Sequence, residues 1–304
     1  VYRLELDRRD RVREVVYFDN KGQQQRQRAR AFILAANGAE TPRILFMSES
    51  ERFSGGLGNG SGLVGKHLMF NTHAQAYGLF SEPLNEFKSI QCTRIALDYY
   101  DNDPKRGFYG GGGFDARPYL NSLPILFGLQ GLPPDLPRWG AQYKEAMAHY
   151  FNLNMAVLSN STSLPMERNT VSLDPLQTDR FGRPALRITY ADHPDDLAFA
   201  RFMQGRALDF LAAAGAERTW FPPVVEETIG AHLLGTCRMG NDPATSVVDR
   251  WHRSHEVENL FICDGSSFVT SGRGQPTLTI QALAFRAADN IIRAARKNEI
   301  PSSW

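Results

Sequence analysis

Two short apolar runs constrain this chain most. Ala31-Phe32-Ile33-Leu34-Ala35-Ala36 and Asn259-Leu260-Phe261-Ile262-Cys263 lie near its two ends, and each stops at a small turn, Asn37-Gly38 and Asp264-Gly265-Ser266. Runs this short and continuously apolar are the mark of strands buried in an α/β sheet rather than of amphipathic elements. The first leads into a helix starting near Glu40 and running through Ile44, Leu45 and Met47. After the second, Pro276 opens a helix whose inner face is Ile280, Leu283, Ala284, Ala287, Ile291 and Ala294, at spacings of three and four. Ligands bind open α/β sheets at the carboxyl ends of the strands, where free N–H groups of a following helix can meet negative charge.

Before and between these runs the texture changes. Residues 1–6, 13–18 and 25–30 read as three short strands joined by polar turns. The loop 54–65 is rich in glycine, and Gly60-Ser61-Gly62-Leu63-Val64-Gly65 spells G-x-G-x-x-G, but no strand precedes it, so it fails as a dinucleotide fingerprint. Residues 72–228 read as a separate mixed sheet with covering helices: strands at 151–158 and 187–190, and a Pro-rich, loop-like stretch at 124–138. A helix there has Pro194, Asp195 and Asp196 in its first turn, the stripe Phe199, Phe202, Met203, Ala207, Phe210 and Leu211, and Gly215 as its stop. The fold class expected is α/β plus α+β.

The formal charge of +1 comes from scattered residues and leaves no footprint for nucleic acid or an acidic membrane. No apolar run approaches the ~20 residues that span a bilayer. Cys92, Cys237 and Cys263 are too few and too far apart for a disulfide framework, and no cluster has metal-site spacing. The chain opens on Val1-Tyr2-Arg3-Leu4, already alternating like a strand, which suggests a piece of a longer protein whose targeting signals cannot be read here.

Five segments, in order, resemble the second half of a glucose-methanol-choline (GMC) flavoprotein oxidoreductase: ILAANGAETPRIL (33–45), GLGNGSGLVGKHL (56–68), DRFGRPALRITYADHPDD (179–196), HLLGTCRMGNDPATSVVD (232–249) and ENLFICDGSSFVTSGRGQPTLTIQALAFRAAD (258–289). The texture is similar to that of bacterial sugar and polyol dehydrogenases such as gluconate or fructose dehydrogenase large subunits. The resemblance implies a partial, Rossmann-like FAD-binding domain from residues 1–71 and 229–304, with a mixed-sheet substrate domain inserted at 72–228. The N-terminal G-x-G-x-x-G unit of the family is absent from the sequence.

The resemblance also implies the site. His232, in H-x-x-G-T, occupies the position of the family's base. A neutral imidazole suits that task, because its ordinary pKa is about 6.5. Gln275 stands where relatives carry His or Asn before the Pro-Thr of the last helix, and its amide can hydrogen-bond an alcohol. Asp264, Gly265, Asn37 and Gly38 are expected to contact the cofactor. Pro276 and Thr277 would place the positive end of a helix against the negative charge of reduced flavin. The function implied is FAD-dependent oxidation of a CH–OH group in an alcohol, sugar or polyol. An electron-acceptor subunit or cytochrome is a possible partner. A non-catalytic substrate-binding remnant and a hydroxynitrile lyase are the alternatives.

Overall fold

Alternation of charged and apolar residues folds the start of the chain into β1 (Arg3–Leu6), β2 (Val12–Phe18) and β3 (Gln24–Arg28), antiparallel in the order β1-β2-β3. Leu4 and Val12 turn inward into the core, with Leu6 and Val15 packed against it. On the other side Arg26 reaches Glu14 at 2.7 Å and also pairs with Glu5. The computed structural model describes residues 1–300 except 72, 86, 87, 89–91, 93, 118–126, 225, 227–229 and 231.

The first apolar run forms β4 (Phe32–Leu34), and α1 (Asn37–Phe46) follows at once. The helix begins three residues earlier than expected. Asn37 sits at φ +75°, and its side-chain oxygen accepts from the N–H groups of Ala39 and Glu40, which supplies an end cap from within. The glycine-rich loop 54–65 is built of turns with no strand before it, and Gly60 N–H donates to the Glu256 carboxylate at 2.8 Å.

The middle of the chain contributes β5 (His73–Leu79), β6 (Ile95–Ala96), β7 (Gly112–Arg117), α2 (Gly140–Tyr150) and β8 (Asn154–Ser161). The strand expected at 151–158 therefore lies three residues later, because Phe151 N–H still bonds Met147 O at the end of α2. Next come the hairpin β9 (Thr170–Thr178) and β10 (Pro184–Thr189), then α3 (Pro194–Ala213) and β11 (Arg218–Trp220). Strands β11, β5, β8, β7 and β6 form one antiparallel sheet in that order.

Helix α3 covers one face of this sheet, burying Phe199, Met203, Ala207 and Leu211 with Ala76, Phe114 and Val157. Phe210, expected in that stripe, is 46% exposed, although its ring still stacks on Phe114 with centroids 6.4 Å apart. Residues 124–126 of the Pro-rich stretch fall outside the described residues, as do the expected domain limits at 72, 228 and 229. The β9–β10 hairpin leans on the N-terminal part: Arg43 of α1 donates to Pro184 O and pairs with Asp179, while Phe181 stacks on Phe18 at 4.4 Å.

The second apolar run forms β12 (Leu260–Ile262), which pairs in parallel with β4, Phe261 opposite Ile33. Phe261 is fully buried, but Ile33 is 54% exposed, contrary to the expectation of a run buried on both faces. Among the described residues this sheet has two strands, and nothing covers that side. Helix α4 (Thr277–Arg296) turns the expected inner face toward the protein, with Ala287 and Ala294 buried, and leaves Leu278 and Phe285 outside.

Asp196, in the first turn of α3, is buried, and both carboxylate oxygens accept from Leu164 N–H. Burial is the largest influence on it and pushes its pKa up to about 7. The folded state thus holds a proton that the unfolded chain releases near pH 4, so this group's contribution to stability falls as pH rises from about 4 to 7. Asp196→Asn is expected to remove that fall, an effect of at most about 4 kcal/mol. Thermal unfolding of variant and wild type across this range would show the variant gaining on the wild type as pH rises.

Candidate active site

The carboxyl ends of β4 and β12 are tied together by one side chain. Asp264 Oδ2 accepts from Asn37 N–H at 3.1 Å and from the Thr41 hydroxyl at 2.6 Å. Its Oδ1 accepts from Ser266 N–H at 2.8 Å and from the Ser266 hydroxyl at 2.5 Å. An ionised carboxylate offers about four acceptor positions, and here four donors fill them. Asp264 therefore acts by holding the two strand-end turns in register.

The segment carrying His232 is wedged between those turns. A Cβ on Gly38 would lie 2.5 Å from Leu233 O, and one on Gly265 would lie 2.7 Å from the same atom, so only glycine fits at either place. Gly235 N–H donates to Gly265 O at 3.1 Å, the Thr236 hydroxyl to Gly38 O at 2.7 Å, and Cys237 N–H to Ser266 O at 2.8 Å. Residues 233–237 are thus fixed on both sides, and His232 stands at the end of the fixed stretch.

Its imidazole has a defined tautomer. Asn71 is buried, and its amide nitrogen donates to Ser161 O at 3.0 Å and to Gly272 O at 2.7 Å. That orientation leaves Asn71 Oδ1 facing His232 Nδ1 at 2.6 Å, so Nδ1 carries the hydrogen and donates. Nε2 keeps a lone pair and makes no hydrogen bond among the described residues. Burial, and then the charge of Arg117, push the His232 pKa below its ordinary value, so the ring is neutral at neutral pH.

The five-stranded sheet supplies the floor. Its register aligns His73 with Asn160, and Asp115 with Leu158, so strand alternation puts His73, Asn160, Asp115 and Arg117 on the face opposite α3. His73 packs edge-on to His232 with ring centroids 5.9 Å apart. Burial first, and the neighbouring His232 second, drive its pKa down to about 4. Asp115 is buried between two guanidinium groups, paired with Arg117 and with Arg273 Nη2 at 3.1 Å.

Arg273 brings in the loop before α4. A cavity of about 420 Å³ is lined by Tyr100, Thr270, Arg273, Gln275, Pro276 and Arg286 among others, and among the described residues no carboxylate lines it. Pro276 starts α4 without a side-chain cap, leaving the first N–H groups of the helix unclaimed by side chains. Of the residues singled out in the sequence, Asn37, Gly38, Asp264 and Gly265 converge with the His232 segment. Gln275, Pro276 and Thr277 form a second group, joined to His232 through Asn71 and Gly272 O. Asn71, His73, Asp115, Arg117, Asn160 and Arg273 went unnoticed in the sequence. Only the alternation in Asp115-Ala116-Arg117 hinted at a polar sheet face.

Fold and site together define an α/β framework with an inserted antiparallel sheet, a histidine held between the two. The chain belongs to the GMC oxidoreductase family, whose model matches residues 165–284. It is 35% identical over 268 residues to 2-methyl-1,2-propanediol dehydrogenase of Mycolicibacterium austroafricanum, covering 87% of this chain and 48% of that protein. It is 29% identical to the fructose dehydrogenase large subunit of Gluconobacter japonicus, covering 96% of this chain and 52% of the relative. Among solved structures, pyridoxine 4-oxidase from Mesorbium loti superposes with a TM-score of 0.65 at 17% identity, over 95% of this chain and 56% of the other, and shares the fold. The chain spans about half the length of these relatives.

Replacing Asp264 with Ala strips four donors, three of them in buried hydrogen bonds, of their acceptor. The expected cost is about 2–4 kcal/mol, read as a lowered Tm of the full-length protein. An unchanged Tm would show that the two turns hold without the carboxylate.

Proposed function

We propose that the protein is an FAD-dependent oxidoreductase that oxidises the CH–OH group of a small alcohol, sugar or polyol. The observation that carries this reading is the tautomer of His232, fixed by Asn71 so that Nε2 presents a lone pair beside a polar floor. Removing two electrons from an alcohol requires a proton to leave oxygen and a hydride to leave carbon. The bound flavin supplies the hydride acceptor.

The residues present suit such a group. The uncapped start of α4 favours a cofactor that gains negative charge on reduction. Pro276 and Thr277 would face that charge with the free N–H groups of the first turn. Asn37, Gly38, Asp264 and Gly265 would hold the strand-end turns against the cofactor, Asp264 by aligning them. Residues 1–71 and 229–304 would form the cofactor side, and residues 72–228 the substrate side.

Within this frame His232 Nε2 accepts the hydroxyl proton, and Asn71 Oδ1 stabilises the imidazolium that results. Gln275 orients the alcohol through its amide. His73, neutral by burial, adds no positive charge that would compete for the proton. Electrons would pass on to an acceptor subunit or cytochrome; the fructose dehydrogenase relative is itself a large subunit.

His232→Ala in the full-length holoenzyme is expected to slow flavin reduction about 10²-fold or more, followed by stopped-flow bleaching at saturating alcohol. An unchanged rate would remove His232 from the mechanism. Gln275→Asn is expected to be mild by the same assay.

Because the base works neutral and its pKa is depressed, the acid limb of kcat/KM is expected below pH 6.5. Arg117→Gln should move that limb to higher pH, since it removes the charge that disfavours protonation. A limb that stays in place would dissociate Arg117 from the base.

A further inference from the structure

The floor of the site holds more positive than negative charge. Asp115 is the only ion-pair partner of Arg117 and of Arg273 among the described residues, so two guanidinium groups share one carboxylate. All three side chains are more than nine-tenths buried. Asn160 Nδ2 sits 3.4 Å from Asp115 Oδ2 and adds a further donor rather than an acceptor.

Arg273 is the less satisfied of the two. It uses Nη2 on Asp115, while its buried Nε has no partner among the described residues. A guanidinium offers five donors in a planar fork suited to a carboxylate, and leaving one buried with so few acceptors is costly. Its position is fixed from behind: a Cβ on Gly113 would come within 2.7 Å of Arg273 Nε, so the strand carries glycine where the side chain crosses it. In front lies the cavity shared with Gln275 and Pro276, whose lining includes Arg286 and no acid.

We infer that Arg273 is a specificity residue, and that the substrate of this site is an alcohol bearing an anionic group, a hydroxycarboxylate in its simplest form. The inference rests on the alcohol oxidation proposed above. The substrate's carboxylate completes the coordination of the surplus guanidinium, and its hydroxyl then lies toward Gln275 and the Nε2 of His232. Pairing with a fork donor fixes the anionic end, and the carbon skeleton sets which CH–OH reaches the base.

The test compares matched substrates on the full-length holoenzyme with a dye as acceptor: a series of hydroxycarboxylates against the corresponding hydroxyamides and diols of equal carbon number. Wild type should favour the anions by about 10- to 100-fold in kcat/KM, mostly through KM, the scale of a charge-assisted hydrogen-bond pair. Arg273→Gln should collapse that preference toward one, and Arg273→Lys should restore part of it. Equal turnover of anionic and neutral alcohols by wild type would overturn the inference and leave the oxidation reading standing. So would an Arg273→Gln loss that is the same for both classes.

Calorimetry with simple carboxylates that lack a hydroxyl separates the two readings. Binding that disappears in Arg273→Gln supports the anion site even if no alcohol is turned over, and absence of binding to wild type counts against it. The wild-type comparison needs no variant, so an unstable Arg273→Gln protein does not spare the proposal.

Discussion

Everything at this site depends on the Asp264 carboxylate. Strands β4 and β12 are each three residues long, and two parallel strands that short make few ladder hydrogen bonds. Their carboxyl ends would be free to diverge without a cross-tie. Asp264 supplies it from the end of one strand to the turn after the other, through Asn37 N–H and Thr41, while Ser266 saturates its second oxygen. The register so fixed leaves a slot one backbone wide, and Leu233 O fills it between Gly38 and Gly265. The position of His232 is therefore set by main-chain packing rather than by any contact of its own ring, and Asn71 then sets only the ring's rotation and tautomer.

How much of this the sequence disclosed follows from the range of the interactions. Both short strands, α1, α3 and α4 were legible, because apolar spacing and turn residues act over a few positions. The family motifs led to His232 and to the residues around Asp264. What stayed hidden was long-range. Asn71 reads as an ordinary loop residue, and its role appears only when Ser161 and Gly272 supply the carbonyls that orient it. Asp115, Arg117 and Arg273 are common residue types whose meaning is their burial together, 158 positions separating Asp115 from Arg273. The burial of Ile33 was misjudged for a related reason: a run of apolar residues shows what a strand can cover, not how many strands cover it.

Asp264 was expected to meet the cofactor because a carboxylate at a strand end is a good acceptor. In the structure its acceptor positions are taken by Asn37, Thr41 and Ser266, and in the proposed function it serves the cofactor side by aligning the two turns. A short local pattern marks such a position, but hydrogen-bond capacity is finite and only the fold shows which groups use it.

In the proposed reaction the polar face of the five-stranded sheet would link the base to substrate choice through one electrostatic arrangement. A buried histidine is neutral by desolvation alone, and a nearby guanidinium deepens that preference, so Arg117 helps keep His232 ready to accept a proton. The same surplus charge opposes the imidazolium that forms once the proton is taken, which works against the base at the moment it acts. An anionic group seated on Arg273 would relieve that conflict. Before it binds, burial first and the charge of Arg117 second keep the imidazole neutral. Once it is in place, the local charge is balanced and protonation of His232 costs less. On the proposed reading an anionic substrate would itself change the proton affinity of the base, and a neutral alcohol of the same size would bind without making that change.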